Sequence, residues 1–324
     1  MKKILPFLFL LLSSSFAFAE TPAATPIPLP VTPAPATISI TAIPPRLELS
    51  GLPGTTLQES LKVGNASNED MAVQASFTNF IVNDNQGTPV PVDETVSGRW
   101  SLASWITVTP QKILLKSKDT HSVTIMINIP KNALPGGHYA MVTYQPDTTG
   151  LINGQGSGSS IVPKVGTLVY LNVLGPVTEA ANLKTFSVDQ PFKNYGPTAI
   201  LAEIENLGDI HIQPKGNLTI TNLFNQTVFS QSLEAKNIFP FASRQYNFSF
   251  PGKWHLGRYA AHFNAAAGNS QIPLNGLIYF WIVPVKELAA VIAILMAIII
   301  LIAFKTKNKR PVQPANISQE KPVK

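Results

Sequence analysis

From Ile38 onward, apolar residues recur at every second position. Leu57, Leu61 and Val63 alternate with polar neighbours, as do Met71, Val73, Ala75 and Phe77, and again Val123, Ile125, Ile127 and Ile129. A period of two places one face of a strand inward and the other in water, as in an antiparallel sheet. Turn signals separate the runs: Pro53-Gly54, Asn65 to Asp70, Asn83 to Gly87, Lys116 to Asp119 and Pro135-Gly136-Gly137. The strand Tyr139–Gln145 is expected to pair with Val165–Leu174 across Pro146 to Ser160, a Gly- and Ser-rich loop. Further strands are expected at Leu183–Asp189, Thr198–Asn206, Gly216–Asn222, Thr227–Leu233, Ser243–Phe250, Arg258–Ala267 and Asn275–Val283. Short strands at this spacing predict an all-β chain of two β-sandwich domains, over 38–174 and 175–284, each of ordinary domain size.

The pattern changes at both ends. Lys2 and Lys3, the apolar run Ile4 to Leu12 and the small-x-small triplet Ala17-Phe18-Ala19 read as a signal peptide over 1–19. A Pro-rich linker over 20–37 follows, with the composition of an extended spacer. Leu288 to Phe304 holds no charge and reads as the core of a transmembrane helix over 285–304. The basic tail 305–324 opens with Lys305, Lys307, Lys309 and Arg310. Positive charge beside a span marks its cytoplasmic side. The expected placement is therefore the plasma membrane, single-pass type I, with the ectodomain extracellular and the C-terminus cytoplasmic. Tyr279, Phe280 and Trp281 fall just before the span, where they either close the last strand or rest at headgroup depth.

Charge changes this picture little. The formal charge is +6, with 24 basic and 18 acidic residues. Lys2, Lys3 and the tail account for all of that excess, so the part between them is close to neutral and no nucleic-acid partner is expected. The chain has no cysteine, which excludes thiol catalysis, Cys-ligated metal and a lipidated cysteine anchor.

Several segments resemble a known family. They are "GTTLQESLKVGNAS" (Gly54 to Ser67), "HSVTIMINIPKNALPGGHYAMVTY" (His121 to Tyr144), "ENLGDIHIQPKGNLTI" (Glu205 to Ile220), "FPFASRQYNFSFPGKWHLGRYAAHF" (Phe239 to Phe263) and "FWIVP" (Phe280 to Pro284), followed by a membrane helix. This order resembles the WxL-interacting cell-surface proteins of Gram-positive bacteria. The resemblance implies two immunoglobulin-like domains. It also implies partners: cell-wall peptidoglycan for the first domain, and another surface protein or a host component for the second.

Candidate chemistry is sparse. The five histidines (His121, His138, His211, His255, His262) show no metal-binding spacing. His211 stands near Glu203, Glu205 and Asp209 in sequence, an arrangement more typical of a solvated turn than of a cation site. No serine elbow is present, and Glu203 and Glu205 share one strand face rather than facing each other across a cleft. No enzyme, cofactor or metal is therefore expected. Among the aromatics, Tyr139, Trp105 and Tyr259 are expected in cores. Trp100 and Trp254, each beside a basic residue, are the surface binding candidates, together with Leu151, Ile152 and Asn153 at the Gly/Ser loop tip. The function these features suggest is non-catalytic display and binding at the cell surface. The alternative is a chaperone-like assembly factor for exported proteins using an exposed sheet edge, with Val123 to Ile129 the first edge to consider.

Overall fold

The computed structural model describes residues 39–147, 164–252 and 256–307. The signal peptide, the Pro-rich linker, nearly all of the Gly/Ser loop and the basic tail after Lys307 lie outside the described residues. The chain up to residue 173 forms β1 (Ile40–Ile43), β2 (Arg46–Gly51), β3 (Thr56–Asn65), β4 (Met71–Ile81), β5 (Val90–Val92), the short helix α1 (Glu94–Ser97), two 3-10 turns at Gly98–Trp100 and Ala103–Trp105, β6 (Ile106–Thr109), β7 (Lys112–Leu115), β8 (Thr120–Asn128), β9 (Gly136–Pro146) and β10 (Val165–Val173). The part after it forms β11 (Ala181–Val188), β12 (Phe192–Lys193), β13 (Thr198–Asn206), β14 (Lys215–Thr221), β15 (Thr227–Ser232), β16 (Ser243–Phe250), β17 (Gly257–Ala267) and β18 (Ile272–Ile282), then α2 (Val285–Lys307).

The chain is all-β with one C-terminal apolar helix. A sheet ordered β1-β3-β8-β6 faces one ordered β2-β10-β9-β4-β5, with β7 also on β4. They face each other across one core, because Leu61, Val63, Ile125 and Ile127 of the first sheet bury against Val73, Val142, Val169 and Leu171 of the second. A three-stranded sheet β11-β13-β16 faces a five-stranded sheet β12-β18-β17-β14-β15 in the same way. The alternation read from the sequence is what builds these cores: β13 runs Thr198, Ile200, Ala202, Ile204, Asn206 inward. The expected pairing of Tyr139–Gln145 with Val165–Leu174 is present, with Val165 opposite Tyr144.

Three expectations need correction. The sheets are not purely antiparallel: β10 pairs β2 in parallel, and β18 pairs β12 in parallel. Gly136 and Gly137 open β9 instead of forming a turn, and the β9 backbone packs there against the carbonyl of Asp209, leaving no room for a Cβ at Gly136. Trp105, expected in a core, is only half-buried: it sits in a 3-10 turn before β6 and packs against the first core.

Buried asparagines close one end of each pair of sheets. The Asn65 amide donates to the carbonyls of Glu69, Leu115 and Lys116, and its oxygen accepts from the Ser67 backbone. The Asn206 amide donates to Ile210 and Ile238 carbonyls, and its oxygen accepts from Gly208. A side chain that replaces missing ladder bonds keeps these buried strand ends satisfied.

The helix α2 begins three residues after the end of β18. Its apolar stretch Val285–Thr306 has 22 residues and reaches a mean hydropathy of 2.9 over its most apolar 18, none of which is buried. At ~1.5 Å per residue the whole stretch gives about 33 Å, enough to cross a bilayer core of roughly 30 Å.

Candidate functional site

The two pairs of sheets meet through a third apolar cluster of Phe80, Val82, Tyr139, Tyr170, Phe239 and Ala242. Phe80 and Phe239 meet edge-on with centroids 5.5 Å apart, and Phe239 meets Tyr139 at 4.9 Å and Tyr170 at 5.2 Å. Edge-to-face contacts of this kind stabilise beyond the area they bury. The Tyr139 hydroxyl accepts from the His211 backbone at 2.9 Å and lies 3.2 Å from His211 Nδ1. Burial holds the His211 pKa below its ordinary value and raises that of Tyr139; it pushes Tyr170 up to about 12. All three are therefore neutral at physiological pH.

Polar bonds frame the cluster. Arg99 pairs with Asp209 at 2.9 Å and also donates to the Pro135 carbonyl at 3.0 Å. The Asp209 carbonyl accepts from Gly137 N at 3.0 Å, Gln245 N donates to the Asn85 carbonyl, and Asn237 donates to Glu48.

An open apolar cavity of about 320 Å³ lies beside this cluster, lined by Phe80, Val82, Val96, Trp100, Phe239 and Phe241 among others. The wall from the first pair of sheets is positioned by local bonds. Asp93 caps α1 by accepting from Val96 N at 3.0 Å, and buried Asn79 accepts from Leu102 N and Ala103 N at 2.8 and 2.7 Å. His138 lies against the carbonyls of Ser101 and Leu134, 2.9 Å each, and burial lowers its pKa. These contacts fix the turn that presents Trp100. Its ring meets Phe241 edge-on at 5.7 Å and carries the Arg99 guanidinium at 5.9 Å. Its indole nitrogen is buried and has no hydrogen-bond partner among the described residues. A buried donor left unmatched costs about 1–3 kcal/mol. Val96 and Phe241 remain exposed at the rim.

Of the binding candidates read from the sequence, Trp100 is thus placed in a cavity wall and is half-buried, not a flat surface platform. Trp254, Leu151, Ile152 and Asn153 lie outside the described residues. The edge expected at Val123 to Ile129 is not an edge: β8 sits between β3 and β6, with Val123, Ile125 and Ile127 fully buried. Phe280 belongs to the second core. His211 packs on Tyr139 and Tyr170, with Glu48 the carboxylate that favours its charged form. Glu203 and Glu205 do share a face, where both reach Lys184, at 3.3 and 3.9 Å. Among the described residues, no cluster of three His, Asp or Glu comes together to hold a metal. Sequence reasoning missed Phe80, Val96, Phe239 and Phe241. The one local signal was the apolar triplet Phe239-Pro240-Phe241, which falls between strands.

No family model matches the chain, and no curated protein matches it. Solved structures with similar backbones include a chaperone–tip adhesin complex of CFA/I fimbriae biogenesis (15% identity over 74% of this chain and 98% of that one, TM-score 0.39). They also include the class 5 fimbriae chaperone CfaA (14%, 74% and 98%, TM-score 0.38) and the E. coli chaperone DraB (12%, 76% and 97%, TM-score 0.32). Likeness at this level assigns no function.

Proposed function

We propose that this chain is a membrane-anchored, non-catalytic bacterial surface protein that carries two immunoglobulin-like domains and binds a segment of a partner protein in the cavity between them. In this reading α2 spans the plasma membrane, the sheets stand outside, and the basic tail is cytoplasmic. Kinship with the WxL-interacting surface proteins is part of the same proposal.

The observation that carries the binding site is the apolar cavity whose wall holds an unmatched indole donor. An apolar side chain entering between Val96, Trp100 and Phe241 would lose its water, and a backbone carbonyl that follows it would satisfy Trp100 Nε1 once a small turn of the ring brings that buried atom to the cavity. Apolar contact with one or two convergent polar groups is the usual composition of a recognition pocket. A glycan partner would instead require an open aromatic face. Trp100 has Phe241 against its ring and Arg99 over it, which supports a protein partner over peptidoglycan.

The test uses the full chain in lipid nanodiscs, offered purified peptidoglycan in one arm and the surface-protein fraction of the same cells in the other. Retention of a surface protein that is lost in Val96→Arg, with thermal unfolding unchanged, supports the reading. Val96 is exposed, so this substitution leaves the cores intact. Sedimentation with peptidoglycan, indifferent to Val96→Arg, overturns it in favour of cell-wall binding.

A further inference from the structure

The second pair of sheets leaves large apolar side chains exposed, and most of them are gathered at one end. The pairing fixes which end. β18 enters α2, and Gly257 of β17 lies opposite Ile282 of β18, the last residue of that strand. Thr221, at the end of β14, lies opposite Ala260 of β17. The turn 222–226 and Leu256 therefore stand at the same end as the start of the helix. So does β12, where Phe192 lies opposite Trp281.

Phe224 is 79% exposed, Phe192 73%, Leu256 65% and Leu223 57%; Tyr279 and Trp281, on the outer face of β18, are also exposed. The turn that displays Leu223 and Phe224 is internally braced. The Asn222 side chain accepts from Phe224 N and Gln226 N at 2.9 and 3.0 Å, and Asn225 takes a positive φ of 56°. Its polar groups are thus spent within the turn while its two apolar side chains point outward, the reverse of an ordinary solvent turn. Phe192 stacks on Trp281 with rings 11° from parallel. Arg258 lies 4.9 Å over Tyr279, a cation held beside an aromatic ring. Tyr195 donates to Glu287 in the first turn of α2, which ties this end to the helix. Leu207 and Phe241 are exposed at the opposite end.

We propose that this end of the second pair of sheets rests in the interfacial layer of the bilayer, with Leu223, Phe224, Leu256, Phe192 and Trp281 as its contact surface. The inference rests on the reading that α2 spans the membrane, and chain continuity argues for lipid as the occupant. Only Val283 and Pro284 separate β18 from α2, and the uncharged stretch begins one helical turn later at Leu288, so the end lies roughly 10 Å from the hydrocarbon boundary. Aromatic rings and arginine are the side chains that accumulate at that depth. The contact would hold the chain at a fixed tilt and set the height of the cavity above the membrane.

Because the chain has no cysteine, single nitroxide labels are placed by Phe224→Cys, Leu256→Cys, Phe241→Cys and Ile298→Cys in the full chain. Each variant is reconstituted in nanodiscs of equal parts phosphatidylglycerol and phosphatidylcholine. Collision with oxygen, which concentrates in lipid, is compared with collision with a water-soluble nickel chelate. At positions 224 and 256 the oxygen-to-nickel ratio is expected to exceed that at 241 by about threefold, the contrast between an interfacial and an aqueous site, and at 298 to be higher still. Labels at 224 and 256 that behave like the one at 241, with 298 in lipid, overturn the contact and leave the span standing. A label at 298 accessible to nickel overturns both. Labels at 224 and 256 shielded from both reagents mark a protein-covered surface and overturn the lipid contact.

Discussion

The two pairs of sheets repeat one wiring. In the first, β1-β3-β8 faces β2-β10-β9-β4; in the second, β11-β13-β16 faces β12-β18-β17-β14. Each has a parallel strand pair at the same place, β2 with β10 and β12 with β18. Each closes with a buried asparagine at the end of its third strand, Asn65 of β3 and Asn206 of β13. Between β4 and β8 the first copy inserts β5, α1, two 3-10 turns, β6 and β7, and this insertion supplies Val96 and Trp100. In the second copy, the stretch between β14 and β16 holds only β15 and the Phe239 to Phe241 segment that forms the opposite wall. The second copy alone carries the apolar end that adjoins α2. The shared wiring is scaffold, and the candidate binding features sit where the copies diverge.

The cores differ too. The buried core of the first copy is aliphatic except for Tyr144, while that of the second contains Tyr246, Phe248, Phe250, Tyr259, Phe263 and Phe280. If the copies fold as separable units, a core deletion in one shifts its own transition and spares the other. Phe280→Ala is expected to lower the stability of the second copy by about 3–5 kcal/mol, and Leu171→Ala that of the first by about 2–5 kcal/mol. Urea denaturation of the full chain in micelles, followed by fluorescence and circular dichroism, checks this. Equal shifts of a single transition from either change would show that the aromatic junction fuses the copies. The asparagines give the next largest effect. Asn206→Ala leaves the Ile210 carbonyl and Gly208 N unmatched, takes one of two bonds from the Ile238 carbonyl, which Ile212 N still holds, and is expected to cost about 2–4 kcal/mol, with Asn65→Ala similar in the first copy. A cost below ~1 kcal/mol at one site alone would break the structural equivalence drawn between them.

Strand positions were legible because burial on one face writes itself as a period of two: Thr198–Asn206 and Ser243–Phe250 coincide with β13 and β16 to the residue. The parallel pairings were not, because β2 and β12 are short edge strands whose partners are chosen by tertiary packing. The repeat itself was hidden by the change from aliphatic to aromatic core residues, which keeps the wiring while erasing similarity. The cavity was hidden for a different reason. Its walls come from residues 80–100 and 239–241, which become neighbours only when the two copies dock. Trp100 was legible as an aromatic beside a charge, but whether its ring faces water or a cavity wall is decided by Phe241, far along the chain. The apolar turn Leu223-Phe224 carried a local signal, two large apolar residues between Asn222 and Asn225, that periodicity alone passes over.

Two unmatched polar groups sharpen the contrast between scaffold and site. Among the described residues, the Tyr144 hydroxyl is sealed in the first core without a hydrogen-bond partner, and Trp100 Nε1 is unmatched beside an open cavity. Burial pushes the Tyr144 pKa up to about 12, so its hydroxyl is neutral and its removal simple to interpret. Tyr144→Phe is expected to raise stability by about 1 kcal/mol, since an orphan donor leaves and the ring stays. Trp100→Phe is expected to change stability by less than ~1 kcal/mol, lost ring volume offsetting the removed donor, while weakening partner retention. A stabilised Trp100→Phe that retains the partner fully would place the indole with the scaffold.

The smallest effect is a dependence on pH, and it separates the junction from the first copy. Burial depresses the folded-state pKa of both His138 and His211 below the ordinary value of about 6.5. The unfolded chain therefore binds a proton at higher pH than the folded chain does. Stability from each neutral imidazole is fully present above about pH 6.5 and is lost as pH falls through that value toward the lower folded pKa. His138 is enclosed within the first copy, whereas His211 sits between the copies against Tyr139 and Tyr170. Arg46 near His211 opposes its protonation and Glu48 favours it, so the acid response there also depends on this exposed pair. In urea midpoints measured from about pH 7.5 to 5, His138→Gln is expected to flatten the slope of the first copy's transition only. His211→Gln is expected to flatten whatever coupling joins the two transitions, because protonating His211 disrupts the face where the copies meet. An acid slope untouched by His211→Gln would mean that the junction opens before His211 charges, leaving the aromatic contacts, and not the imidazole, to hold the copies in register.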